Sequence, residues 1–340
     1  MRRFDFYKTL SQTSDSIRQL SALNPLTIRR KGTRTKAFFA LALVCFFWGT
    51  TWIASKEGVK HMPALQMAGI RQLIAGACYA GFFLARGMRL PRGREWIPVL
   101  VLSLLNFVLS NGLSTWGVKF ISAGLGAIIG AIFPLWIVLI GLFGSREKIP
   151  ARAIAGLLLG FAGICVIFYP HLRDFLDPDF MLGIVLSIAA TWTWAFGTIY
   201  TKQQAANFNP YFSLGLQMLI SGFILTLVTQ LLNRPGLTTA ISLTEIHWRS
   251  WLAIGYLVVF GSMIAFVSYL YALQHLPTGQ ASIYAYMNPV VAVVCGWLIF
   301  GEQLTGFIIV GGAVTLLGVY LVNRAFRAVP APEQPEPEGV

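Results

Sequence analysis

The chain has 340 residues, 56% of them hydrophobic and only 11% charged, with a net charge of +13. A soluble domain carries about 25% charged residues, so this composition and a mean hydropathy of +0.67 exclude an ordinary soluble fold. The excess of basic residues belongs with the membrane rather than with nucleic acid, because lysine and arginine mark the cytoplasmic side of membrane proteins.

Residues 1–36 form a basic tail with Arg2, Arg3, Lys8, Arg18, Arg29, Arg30, Lys31, Arg34 and Lys36. No cleavable leader is expected in it, and its stretch FYKTLSQTSDSIRQL has only a weak apolar face, which reads as flexible chain. Ten apolar runs follow, near 37–55, 64–86, 96–117, 122–143, 151–169, 180–200, 210–232, 249–272, 278–300 and 305–323. Each is long enough for a membrane-spanning helix. Alternate connections are basic: Arg86, Arg89, Arg92 and Arg94 after the second run, and Arg146, Lys148 and Arg152 after the fourth. The connection after the fifth has Asp174, Asp177 and Asp179 against Arg173. Both termini are therefore expected on the cytoplasmic side. Residues 324–340 are rich in Pro and Glu and read as disordered.

Chemistry-bearing residues do not cluster. Cys45, Cys78, Cys165 and Cys295 lie singly in apolar runs, and the four histidines fall in separate loops. Neither a metal site nor a disulfide is suggested, and no phosphate-binding loop or cofactor motif is present. All thirteen carboxylates lie in tails, loops or span ends. This favours a facilitator, an exchanger or coupling through the substrate's own charge over a proton relay, which commonly needs a buried carboxylate.

The chain also repeats itself. WGTTWIASK at 48–56 returns as WAFGTIYTK at 194–202, and LIAG at 73–76 returns as LISG at 219–222, both offset by 146. At an offset of 155, Gly124, Ile128, Pro134, Val138, Gly141 and Glu147 fall on Gly279, Ile283, Pro289, Val293, Gly296 and Glu302. The same offset places Gly156 on Gly311 and Gly163 on Gly318. Two repeats of five spans, 37–169 and 180–323, must face opposite ways, because five is odd. Such inverted repeats suit alternating access. The expected fold is all-α and integral to the membrane: ten transmembrane helices in two inverted five-helix repeats.

WGTTWIASK, GIRQLIAG, AGLGAIIGAIFPLW with Glu147, and GQASIYAYMNPVVAVVCGWLIFGEQLT resemble the drug/metabolite transporter superfamily, in particular its EamA-domain ten-span exporters. The resemblance spans roughly 37–323. Ser145 departs from it, standing where the pattern often has Gly, as at Gly301. The resemblance implies a secondary carrier for small metabolites, often amino acids, working without a cofactor. It implies a multi-pass protein of a bacterial-type inner membrane, whose partners are a small-molecule substrate and the lipid bilayer, with no nucleic acid. Two other functions stay open: an enzyme acting on lipid or prenyl groups, for which DPDF at 177–180 is the nearest motif, and a lipid-linked sugar flippase.

Polar side chains in a span turn away from lipid. Trp48, Thr51, Trp52 and Ser55 share one helical face, as do Thr191, Trp194 and Thr198. Ser103, Asn106 and Ser110 share another, Ser262 and Tyr269 a further one with Gly261 and Ser268 beside them, and Tyr284 and Asn288 lie four apart. For single Ser and Thr residues, helix packing explains as much. Trp48, Thr51, Trp52, Arg71, Asn106, Trp194, Thr198, Tyr284 and Asn288 are the candidates to line a path. Pro134 and Pro289 sit mid-span, where each frees a carbonyl and bends its helix, so they are candidate hinges. Glu147 and Glu302 are expected beside the positive start of the helix that follows each. Arg71 lies about seven residues into its span, roughly 10 Å by helical rise. A central charge costs about 2.5–3.5 kcal/mol. Its long side chain is expected to reach the outer interface or a neighbouring helix's carbonyls; the alternative is that it meets an anionic group of a substrate.

Overall fold

The computed structural model describes residues 31–133, 135–136, 139–140, 151–171, 174–204, 209–233, 240–276 and 284–327. A backbone in lipid must satisfy its polar groups internally, and the described chain does so with helices. These are α1 (Lys31–Gly58) and α2 (Ala64–Ala85), then a continuous rod opened by a 3-10 turn at Gly93–Glu95. The rod comprises α3 (Trp96–Leu102), a π-helical segment π1 (Ser103–Asn111) and α4 (Gly112–Phe120). Next come α5 (Ala123–Gly130), α6 (Ala151–Phe168), α7 (Pro178–Gln204) and α8 (Pro210–Leu231). A second interrupted rod follows: α9 (Trp248–Tyr256), π2 (Leu257–Ile264) and α10 (Ala265–His275). The last two are α11 (Tyr284–Phe300), with Pro289 inside it, and α12 (Gly306–Arg327).

Among the described residues six helices are long and apolar enough to cross a membrane, in α1, α2, the first rod, α7, α8 and the second rod, and three shorter apolar stretches lie in α6, α11 and α12. The protein is an all-α membrane protein. Helix α1 starts at Lys31, inside the stretch read from sequence as tail. Pro134, Glu147 and its basic neighbours, the stretch FYKTLSQTSDSIRQL and the final Pro/Glu-rich segment lie outside the described residues.

The burial pattern is that of a protein solvated by lipid. Phe39, Phe82, Leu158, Phe161, Phe223 and Leu298 point outward, while Gln66, Arg71, Gln72, Ser103, Gln217, Ser221 and Ser262 are buried. Polar groups inside and large apolar groups outside invert the usual soluble arrangement.

Glycine sets the helix contacts. A Cβ on Gly76 would meet the Leu219 backbone nitrogen, and one on Gly222 the Leu73 backbone nitrogen. Gly69 faces the Thr226 backbone, and Gly215 that of Ala80. As one number rises its partner's falls, so α2 and α8 cross antiparallel. Adding 146 to 73, 76 and 80 gives 219, 222 and 226, so the contacts are reciprocal between equivalent positions. The pair α6 and α12 repeats the arrangement at the other offset: Gly163 faces Thr315, and Gly318 faces Gly160. Small residues are what allow such backbone approach where lipid gives no hydrophobic drive to association. Helix α1 packs on the second rod and on α11; α7 packs on the first rod and on α5.

Candidate functional site

The second rod's π segment is the centre of the site. A π turn bonds i to i+5 and disturbs the α ladder, and side chains of the first half reach the π2 carbonyls. Trp48 Nε1 donates to Gly261 O at 3.2 Å. Tyr79 Oη is 3.0 Å from Ser262 O and 3.2 Å from Met263 O, its donor shared between them. Gly261 also faces the Thr51 methyl and the Arg71 Nη2.

Arg71 does not reach toward an interface. It is buried, with 6% of its surface exposed, and Nε donates to Ser262 Oγ at 3.2 Å while Nη1 donates to Asn111 Oδ1 at 3.4 Å. Gln72 Nε2 donates to the same Asn111 oxygen at 3.2 Å, and Gln72 Oε1 is buried without a hydrogen-bond partner. In place of the interface or the backbone carbonyls expected from the sequence, the guanidinium meets side chains, Ser262 and Asn111, on the two π segments.

Above this polar cluster stands an aromatic one. Trp48 lies 5.0 Å from Phe266, 5.1 Å from Tyr269 and 5.1 Å from Tyr284 between ring centres. Tyr269 and Tyr284 are 5.3 Å apart, edge to face. The Asn288 carboxamide, oriented with its nitrogen toward the two carbonyls, donates to Tyr284 O and Cys45 O at 3.1 Å each. Asn288 thus ties α11 to α1. Trp52 packs its ring on Gly126 and Gly130 of α5.

The other candidates sit on α7 and π1. Trp194 and Thr198 are half-buried, and Thr198 Oγ1 donates to Trp194 O at 2.8 Å. Thr51 likewise donates to Trp48 O at 2.6 Å. Asn106 lies against Gly197, and its Oδ1 is buried without a partner. Ser103 donates to Gln217 O on α8 at 2.9 Å. The face expected to unite Ser103 and Asn106 is therefore split between α8 and α7, because π1 widens the turn that an α period assumes. Tyr79, Gln72, Asn111 and Phe266 were not singled out in the sequence. Their only signal was a polar or aromatic group in an apolar run, without a spacing to mark it.

At one end of the bundle the link between α4 and α5 is held on both sides. Lys56 Nζ donates to Val118 O, Lys119 O and Ile121 O at 2.9, 3.2 and 2.7 Å. Glu302 accepts from Ala123 N at 2.8 Å and Gly124 N at 3.3 Å. The dipole rule expected for Glu302 applies, but to the start of α5 in the other half rather than to α12, which follows it. Glu302 reaches α5 because Gly301 at φ +64 turns the chain back and Gly124 and Gly296 leave room beside its carboxylate.

A bundle with lipid-facing apolar sides, reciprocal helix pairs and a buried polar centre defines a polytopic helical membrane protein. Within that class the assignment is direct: the model of the EamA-like transporter family matches residues 35–169 and again 181–324, and the chain belongs to that family. It is 31% identical over 294 residues to YedA of Escherichia coli K12, described as an uncharacterized inner membrane transporter, covering 84% of this chain and 91% of that one. It is 29% identical over 301 residues to YvbV of Bacillus subtilis 168, described as an uncharacterized transporter, covering 87% and 94%. A solved crystal structure at 19% identity matches with a TM-score of 0.57, covering 88% of this chain and 100% of that chain, a likeness of fold alone.

Proposed function

We propose that the protein is a secondary transporter that moves small organic metabolites across a bacterial-type inner membrane by alternating access, most simply outward. In this reading ten helices form two inverted repeats, 37–169 and 180–323, with both termini cytoplasmic. The observation that carries it is the reciprocal antiparallel crossing of α2 with α8 and of α6 with α12 around a buried polar and aromatic centre. Two similar halves of opposite orientation can exchange conformations and so open one path to either side in turn. Trp48, Thr51, Trp52, Arg71, Asn106, Trp194, Thr198 and Tyr284 line that path, and Asn288 fixes Tyr284. Pro289 lets α11 bend, with Pro134 as its counterpart. The family and its relatives' descriptions support transport over an enzymatic role.

Proteoliposomes loaded with pooled radiolabelled metabolites test the reading. At least one compound should cross faster than in protein-free vesicles; no excess flux for any, in either direction, overturns it. Cysteines placed at Arg92 and Asp177 should label from opposite sides, and labelling from one side sinks the topology. Pro289→Ala should slow the flux of a transported compound at unchanged folded yield, and unchanged flux removes the hinge.

A further inference from the structure

The guanidinium of Arg71 is buried among neutral groups. Its bonds run to a serine hydroxyl and an asparagine carbonyl oxygen, and among the described residues no carboxylate pairs with it. A buried charge without a counter-charge is costly, and a polar tie between α2 and the π segments does not need one. The equivalent position in the second half is Gln217, which is neutral and bonds Ser213 of its own helix at 2.9 Å. The charge is thus an addition to one half only, at the place where both halves meet.

Its third nitrogen is the informative one. Nη2 makes no hydrogen bond among the described residues and faces Gly261, where a Cβ would stand 3.4 Å from it and 2.8 Å from the Thr51 methyl. Glycine at 261 leaves that nitrogen room. The carbonyl of the same glycine accepts from Trp48, whose ring begins the cluster with Phe266, Tyr269 and Tyr284. One guanidinium nitrogen and an aromatic surface therefore converge on Gly261.

We infer that this site takes an organic anion: a carboxylate received by Arg71, with an apolar or aromatic body laid against Trp48, Phe266 and Tyr269. The inference rests on the transporter reading and names the class of its substrate. The fork geometry of arginine matches a carboxylate, and the bound anion supplies the counter-charge that the protein lacks.

The test is calorimetric binding to the protein in lipid nanodiscs, with 3-phenylpropanoate and its uncharged match 3-phenylpropanamide as probes. A charge-assisted pair should favour the anion by about tenfold or more. Arg71→Gln should erase the preference, and Arg71→Lys, which keeps the charge without the fork, should retain part of it. Equal affinity for the two probes in the native protein, binding of neither, or an undiminished preference in Arg71→Gln overturns the inference. Because the measurement reads binding alone, its failure is separable from a failure of transport.

Discussion

Where α1 meets the second rod, the rod supplies the small residue: Gly261 of π2 lies against Thr51. Where α7 meets the first rod, the small residue comes from the other partner: Gly197 of α7 lies against Asn106 of π1. Thr51 and Gly197 are equivalent at the offset of 146, and Gly261 and Asn106 at 155. The close approach is repeated, while the side that makes room for it is exchanged. Other equivalent positions differ in chemistry outright: Arg71 matches Gln217, and Tyr79 matches Leu225. The two halves share a backbone plan and divide the chemistry unequally: the buried charge of Arg71 belongs to the first half, while the aromatic cluster joins Trp48 of the first to Phe266, Tyr269 and Tyr284 of the second.

The shared plan breaks hardest at the reciprocal crossing. Gly76→Val and Gly222→Val should each cost about 3 kcal/mol through overpacking, read as equal losses of monodisperse protein and of melting temperature. Unequal losses would show that the two sides of the crossing are not equivalent. The exchanged contact comes next. Gly197→Ala should cost about 1–3 kcal/mol and be rescued by Asn106→Ala, a coupling that a double-mutant cycle on thermal stability would measure; independent effects would separate the two residues. A smaller effect is expected at the bundle end. Lys56→Met removes a charged donor from three carbonyls, with a loss of about 1–2 kcal/mol and faster thiol labelling of a cysteine at Ile121. Unchanged labelling would mean that the lysine does not hold the link. Least of all, Gly81→Val, with open space where its Cβ would lie, should move stability by no more than roughly 0.5 kcal/mol.

Most helices were legible in the sequence because lipid imposes one long apolar run on each. The pairing of halves was legible too, since LIAG and LISG, written 146 residues apart, mark the glycines Gly76 and Gly222 that make the crossing. The π segments were not. They preserve composition and change only the turn, so Ser103 and Asn106 appeared to share a face that they do not share. Arg71 was recognised as exceptional, but its partners Ser262 and Asn111 lie 191 and 40 residues away in sequence, and no local pattern names them. Glu302 was misread for the same reason: its helix start is nearer in space than in sequence.

That glutamate also bears on how the protein is made. The first turn of α5 is capped by Ser122, which accepts from Leu125 N at 3.1 Å, but the amides of Ala123 and Gly124 bond a carboxylate 179 and 178 residues downstream. During synthesis the first half enters the membrane with those two amides lacking their native acceptor. They obtain it only when nearly the whole second half has been inserted. A chain truncated before residue 302 should therefore leave the start of α5 without that acceptor and be cleaved there by proteases faster than the full chain.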